Sequence, residues 1–374
     1  EVETMKLGLE NITTLLRALG DPQTNYKKVQ VAGTNGKGSV CAFLDSICRA
    51  ADIRTGLYTS PHLISITERV KIDGVDISED EFARLATVVR ETAETLLSDG
   101  QLAYRPTFFE QVTTIALLAF AEAKVELAIL ETGMGGRFDA VTAAKAEIAA
   151  ITRIDLDHQE YLGDTIEEIA AEKAAIIGPD TKFVIIGAQS TDPLRVILDR
   201  CREFGITPRS ANKQFIRQMD VETRKTTIHE FDTEPPVELG VTPGLAGSHQ
   251  IENAYTAVMI AGELAGDFGF DISEDQIRSG IQKAEHHGRL ERVGRFLFDG
   301  AHNPGGARAL RHYLDEVEHL PITLVFGSMR DKGVREIAEI LWPRAETIIL
   351  TRPSNSRAMT ADELVEFAPA TVAA

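Results

Sequence analysis

Short apolar runs and amphipathic stretches at helical spacing alternate along this chain. Leu7, Ile12, Leu15, Leu16 and Leu19 recur at helical intervals and stop at Gly20 and Pro22, which predicts a helix over 7–19. Val29, Val31 and Ala32 form a short apolar run that ends at Gly33. Val40, Phe43, Leu44 and Ile47 then resume the helical period, so 29–48 reads as strand, glycine turn, helix. Strands follow at 55–58, 69–72, 125–130, 148–154 and 183–186. Between them lie helices at 78–97, opened by a capping box from Ser78 to Glu81, at 107–123, and from Thr165 onward. The stretch 213–240 breaks the rhythm, and the alternation from Thr226 to Phe231 predicts a short antiparallel hairpin. A helix over 247–264 comes next. Near Gly288 the rhythm restarts, with strands at 295–298, 322–326 and 347–350 and a helix over 307–317.

This pattern predicts an α/β fold: a mostly parallel sheet with helices on both faces, containing a P-loop, and a smaller C-terminal Rossmann-like α/β domain. The boundary is placed at 287/288, giving domains 1–287 and 288–374. There is no internal repeat. Four polar segments, 33–39, 59–63, 131–139 and 155–158, fall just after strands, and the carboxyl edge of a parallel sheet is where such folds bind ligands.

The sharpest of these is Gly33-Thr34-Asn35-Gly36-Lys37-Gly38-Ser39. Glycines let the backbone approach a ligand and turn N–H groups inward, and the following helix aims its positive end at the turn. Lys37 adds a full charge and Ser39 a hydroxyl suited to Mg²⁺. Together they form a cradle for a polyphosphate. The match to a Walker A loop is incomplete, since Val31 and Gly38 stand where that pattern has Gly and Ser or Thr.

Composition narrows the classes. At 374 residues the chain is long enough for two domains, and 43% hydrophobic with 26% charged residues describes an ordinary globular protein. A formal charge of −18 without any run of Lys and Arg speaks against nucleic acid as a partner. No apolar stretch is long enough for a membrane span, and Glu1 and Glu3 without a following apolar segment do not form a signal peptide. Cys41, Cys48 and Cys201 lack metal-type spacing and read as core thiols, which suits a cytoplasmic protein.

Other residues admit two readings each. Glu131, at a strand end beside glycines, can hold a hard cation or make a salt bridge. His158, after Asp155 and Asp157, is a ligand or a structural histidine. Lys173, on a mostly apolar helix, is ion-paired at the surface, or is modified or aimed into the phosphate site. Asp299 and His302 face a ligand across a cleft or cap the next helix. Arg289 meets a phosphate or bridges the domains.

The motifs together resemble a known family. Ala32 to Ser39, Thr59-Ser-Pro-His-Leu63, Thr107-Phe-Phe-Glu110, Leu130 to Asp139, Leu156-Asp-His158, Glu172-Lys-Ala174, His249-Gln250 through Asn253, Gly288-Arg-Leu-Glu291 and Asp299 to Pro304 look like the folylpolyglutamate synthase and dihydrofolate synthase family of the Mur ligase superfamily. They run in the family's order from residue 7 to about residue 360. The resemblance implies ATP-dependent attachment of L-glutamate to the carboxylate of a folate or dihydropteroate through an acyl phosphate, in a monomer that uses ATP and Mg²⁺. It implies that Gly33 to Ser39 bind the phosphates and that Ser39, Ser60, Glu131 and His158 hold Mg²⁺. Lys173 resembles the family's carbamylated lysine, whose added carboxylate would help hold a second Mg²⁺, and Lys37, His158 and Lys173 would be the catalytic residues. Gln250 and Asn253 would meet adenine, and Arg289, Asp299 and His302 the phosphates and ribose. Thr107, Phe109, Glu110, Arg137 and Asp139 would border the pterin-bearing substrate.

Two departures stand out. Val141-Thr142 replaces the family's Thr-Asn, which bears on substrate preference, and the second domain is shorter than the family's. The alternatives are a Mur-type ligase acting on another carboxylate, or a nucleotide-binding protein without catalysis.

Overall fold

The computed structural model describes residues 8–210, 215–219, 226–230 and 240–367. Leu7, Phe231 and the run 368–374 lie outside the described residues. In chain order the elements are α1 (Glu10–Ala18), β1 (Lys27–Ala32), α2 (Lys37–Ala50), β2 (Thr55–Tyr58), β3 (Val70–Ile72), β4 (Val75–Asp76), α3 (Glu79–Ser98) and α4 (Phe108–Glu122). Next come β5 (Leu127–Glu131), β6 (Ile148–Ile151), α5 (Gln159–Leu162), α6 (Ile166–Ala174), β7 (Phe183–Ile186), α7 (Thr191–Glu203), β8 (Arg209–Ser210), β9 (Phe215–Met219) and β10 (Thr226–Glu230). The chain continues through α8 (His249–Asp267), α9 (Glu274–Lys283), β11 (Glu291–Val293), β12 (Phe296–Phe298), α10 (Pro304–Val317), β13 (Thr323–Phe326), α11 (Val334–Leu341), β14 (Thr347–Leu350) and α12 (Ala361–Val365).

Eight strands form one sheet in the order β4-β3-β2-β5-β1-β6-β7-β8. All pairings are parallel except those of β3, with β2 on one side and β4 on the other. β5 and β6 are nearly continuous apolar runs because both of their faces are covered, and β1 is buried from Lys28 to Ala32 between them. Alternation along these strands sends side chains to opposite sides. Val29, Val31, Leu127, Ile129, Ile148 and Ala150 pack beneath α2, α8 and α9. Ala128 and Leu130 meet α1, α3 and α4 on the other face, and Ala32, Ala149 and Ile151 meet α6 and α7 beside them. The three cysteines are buried and free of disulfides.

Register sets the site. Val31 pairs with Glu131 and Ala150, Ala32 with Ile151, and Leu130 with Tyr58. The carboxyl ends of four neighbouring strands are therefore level, and their loops open on one edge. β9 and β10 pair antiparallel, as the alternation predicts.

Residues 291–367 form a smaller unit around Ala307, Phe326, Ile337, Leu341 and Trp342. β13 and β14 pair in parallel. The strand expected at 295–298 is β12, which pairs antiparallel with β11 in a two-stranded ribbon. The helix after it starts at Pro304, not 307, because the Asn303 side chain accepts from Gly306 N and Pro304 takes the first helical position.

The sequence pattern does not mark helices α5, α7, α9, α11 and α12. α9 contains Gly280, an unfavourable residue inside a helix. A Cβ at Gly280 would collide with the backbone of Ile47, so this glycine lets α9 lie directly on α2. Gly280→Leu should destabilise the protein by about 1–3 kcal/mol through overpacking. A lowered urea midpoint in far-ultraviolet circular dichroism would show this; an unchanged midpoint would mean that the two helices are not held in contact.

Candidate active site

The phosphate loop leaves β1 at Ala32. Gly33 has φ +147° and its missing Cβ makes room for the Thr152 side chain, while Gly36, at φ +91°, makes room for Asn253. Thr34 N and Asn35 N both donate to Arg153 O, at 2.9 and 3.1 Å. The Thr34 hydroxyl donates to Asp155 O at 2.9 Å, and Asn35 Nδ2 donates to Asp155 Oδ2 at 2.9 Å. The loop is thus stitched to the end of β6. Helix α2 begins at Lys37 with no side-chain cap, so its first N–H groups point unclaimed by any side chain at the turn.

Around this turn lies a cleft of about 690 Å³. Gly33, Thr34, Asn35, Gly36, Lys37, Gly38 and Ser39 line it, with Ser60, Glu131, His158 and Lys173 from the neighbouring strand ends and from α6. Gln250 and Asn253 of α8 and Arg289, Asp299 and His302 of the second unit complete it. Every residue expected to meet nucleotide or metal thus faces one space.

Its electrostatics are unusual. Glu131 is buried and accepts from Ser60 N at 3.0 Å. Burial raises its pKa, against the opposing pull of Lys37. Lys173 is buried and donates to Gly33 O at 3.0 Å. Burial, with Lys37 nearby, lowers its pKa to about 7. His158 is held neutral down to about pH 4, chiefly by burial. Among the described residues no three His, Cys, Asp or Glu side chains cluster closely enough to hold an ion by themselves. Mg²⁺ does not need such a cage: it takes one or two carboxylates, phosphate oxygens and retained water. Glu131, buried with a single backbone donor beside the phosphate cradle, fits that demand.

Residues that sequence reasoning left aside tie the two units together. Asp157 accepts from Asn303 Nδ2 at 3.0 Å and from Lys332 Nζ at 3.0 Å, and His302 lies 3.6 Å away. Burial would raise the Asp157 pKa, but His302, His158 and Lys332 hold it well below the usual carboxylate range. Asn303 also donates to Asn35 Oδ1 at 3.0 Å, so the second unit touches the phosphate loop itself. Lys332 Nζ lies 3.3 Å from His158 Nε2. Lys332 follows β13, so the strand-end rule that singled out His158 was the available signal. Asp299 caps no helix: it accepts from Leu290 N at 3.0 Å and Ala301 N at 2.9 Å, bracing the turn that carries Arg289.

The five residues expected at the pterin substrate are placed differently. Thr107 and Glu110 cap α4 reciprocally, Glu110 N donating to the Thr107 hydroxyl and Thr107 N to the Glu110 carboxylate. Asp139 is buried beneath the glycine loop and accepts from Met134 N and Val141 N, with burial raising its pKa to about 6. Arg137 pairs with Glu172 at 2.7 Å and lines a separate cavity of about 270 Å³. None of these four lines the cleft. Phe109 packs against Gly133, whose Cβ would meet its ring at 2.5 Å, and Gly133 does line the cleft. Val141 is a core residue, and the Thr142 hydroxyl bonds Gly136 O and Gln30 Nε2, so this pair supports the loop from beneath.

Residues 31–261 match the Mur ligase middle domain and residues 288–373 the Mur ligase glutamate ligase domain. The chain is 33% identical to the dihydrofolate synthase/folylpolyglutamate synthase of Bacillus subtilis, over 97% of this chain and 85% of that protein. It is 34% identical to a probable bifunctional folylpolyglutamate synthase/dihydropteroate synthase of Halobacterium salinarum, over 96% of this chain but 43% of that protein. The chain therefore spans less than half the length of that relative. In structure it resembles Mycobacterium tuberculosis folylpolyglutamate synthase, solved in complex with ADP and AMPPCP, with a TM-score of 0.86 and 32% identity over 96% of this chain and 82% of that one.

Two outcomes follow from the buried charges. An unfolded lysine keeps its proton to about pH 10.5, whereas folded Lys173 releases it near 7. The unfolded state binds more protons between those values, so native stability rises with pH across that window. Lys173→Met should therefore stabilise the fold, by on the order of a few kcal/mol at pH 6, with the gain shrinking by pH 9. Melting temperatures at the two pH values test this, and an equal gain at both would contradict a depressed pKa. Asn303→Ala removes the α10 cap and a donor to Asp157, and should cost about 1–3 kcal/mol by calorimetry.

Proposed function

The chain belongs to the Mur ligases, within the group of dihydrofolate and folylpolyglutamate synthases, and from that premise we propose that it joins L-glutamate to the carboxylate of a folate or dihydropteroate at the expense of ATP. The observation that carries this reading is the single cleft in which a phosphate loop, the Glu131 carboxylate and the near-neutral Lys173 amine meet Arg289, Asp299 and His302 from the second unit. One chain supplies all of these groups, so the reading is of a monomer.

A carboxylate is a poor electrophile, and the chemistry must first give it a leaving group. An oxygen of the acceptor carboxylate attacks the γ-phosphorus, ADP departs, and an acyl phosphate results. The glutamate amine then attacks the acyl carbon and inorganic phosphate leaves. Lys37 and the first N–H groups of α2 hold the phosphates and offset the charge that builds on the transferred group. Gln250 and Asn253 meet adenine, and Arg289, Asp299 and His302 reach the phosphates and ribose from across the cleft. Ser60, Glu131 and His158, with Ser39, would hold Mg²⁺, which would supply further charge neutralisation.

Lys173 is suited to carbamylation. An uncharged amine can add CO₂, forming an N–C bond and releasing one proton, and a pKa near 7 leaves about half of the amine uncharged at neutral pH. The product carries a carboxylate into a site short of oxygen donors. Phe109 packs against Gly133 of the cleft lining, and its ring can stack on an aromatic substrate.

Phosphate release with Mg·ATP, glutamate and either dihydropteroate or tetrahydrofolate tests the reading. Release that depends on a pterin supports it, and release with neither pterin contradicts it. Lys173→Ala should lower turnover at least 100-fold, on the scale of losing a transition-state electrostatic group. Short carboxylates should restore part of that loss, and a fully active Lys173→Ala variant would remove the lysine from the mechanism.

A further inference from the structure

Arg69 closes the short 3₁₀ turn Ile66–Arg69. It is only 8% exposed, and guanidinium stays charged at every physiological pH. Its hydrogen-bond and ring partners are uncharged: Nε donates to His62 Nδ1 at 2.9 Å, the group lies 5.3 Å from the Phe108 ring centre, and it reaches the Tyr58 hydroxyl. Burial leaves His62 neutral, with Arg69 reinforcing the effect.

The carboxylates nearby are committed elsewhere. Glu68 accepts from the backbone N–H groups of Leu63, Ile64 and Ser65 at 2.8, 2.8 and 2.6 Å. Asp73 pairs with Arg54, and Asp76 with Lys71. Glu131 holds Ser60 N and stands within the field of Arg69 without bonding it. Among the described residues Arg69 thus makes no ion pair. A buried cation without an ion-pair partner is costly, and a guanidinium fork matches a carboxylate in two parallel hydrogen bonds.

Its place indicates which carboxylate. Thr59 N donates to Arg69 O at 3.1 Å, so Arg69 runs beside the loop that carries Ser60 and Pro61 into the cleft. Arg69 itself does not line the cleft. The oxygen that attacks ATP must lie inside it. The ring of Phe108, 45% exposed, offers an apolar surface beneath the guanidinium.

We propose that Arg69 grips the non-reacting carboxylate of an acceptor already bearing a glutamate, and so favours folate-type dicarboxylates over dihydropteroate, which has a single carboxylate. This rests on the reading of the chain as a folate or pteroate ligase. A glutamyl group has two carboxylates: one enters the cleft to be phosphorylated and the other remains at its rim. A monocarboxylate cannot fill both places.

The test compares wild type, Arg69→Met and Arg69→Lys by calorimetry with folate and with pteroate, each in the presence of Mg·ADP, and by steady-state kinetics. ADP affinity checks that each variant is folded. Loss of one bidentate contact should weaken folate binding by about 10- to 100-fold and raise KM for tetrahydrofolate with little change in kcat. Pteroate binding should change by less than about 3-fold on the same grounds. Arg69→Lys should fall between, since it keeps the charge and loses the fork. Should Arg69→Met lose ADP binding, the lysine variant decides by the same folate-to-pteroate comparison. Equal losses for both ligands, unchanged folate affinity, or a wild type that binds no folate would overturn the proposal. A wild type that binds folate through Arg69 yet releases no phosphate with any pterin would contradict the functional reading alone.

Discussion

The parallel pairing of β1 with β5 on one side and β6 on the other is the constraint from which the site follows. Because Val31 sits level with Glu131 and Ala150, the phosphate loop, the Glu131 carboxylate and the Asp155–His158 turn must leave the sheet side by side. The hydrogen bonds of Thr34 and Asn35 to Arg153 and Asp155 lock that arrangement. A slip of β1 by one residue would reverse which side chains face α2 and would carry Gly33 away from Glu131.

The charges gathered on this edge are costly for the fold. Lys173 and Glu131 are buried without ion-pair partners among the described residues, and each is pushed toward its neutral form. Such shifts cluster where charge is needed for chemistry. Asp157 shows the opposite solution, being buried but surrounded by Lys332, Asn303 and His302 of the second unit. The two units therefore meet through a satisfied network directly beside groups that are not satisfied. A polyphosphate with its cation would supply the charges that Lys173 and Glu131 lack.

Much of this was legible in the chain. Periodicity identified six of the eight strands of the main sheet, and missed the two-residue edge strands β4 and β8, which are too short to carry a pattern. The strand-end rule places Gly33, Ser60, Glu131 and His158 on one edge of the sheet. What remained hidden had physical causes. Helices α7 and α9 are rich in charge, and Gly280 weakens the helical signal in α9, where tertiary contact with Ile47 overrides propensity. Thr107, Glu110 and Asp139 belong to recognisable motifs, but that their side chains bond the backbone of their own turns is not visible in the motifs' spacing. Lys332 and Asn303 reach Asp157 from the other unit, at a sequence separation that no local pattern spans.

The central claim is that a carboxylate is activated by phosphorylation in the cleft between the two units. Labelling the carboxylate of dihydropteroate or tetrahydrofolate with ¹⁸O and analysing the released phosphate by mass spectrometry tests it directly. The account predicts one labelled oxygen in each phosphate formed together with an amide, since the bridging oxygen of the acyl phosphate leaves with phosphorus. Unlabelled phosphate accompanying amide formation would contradict it.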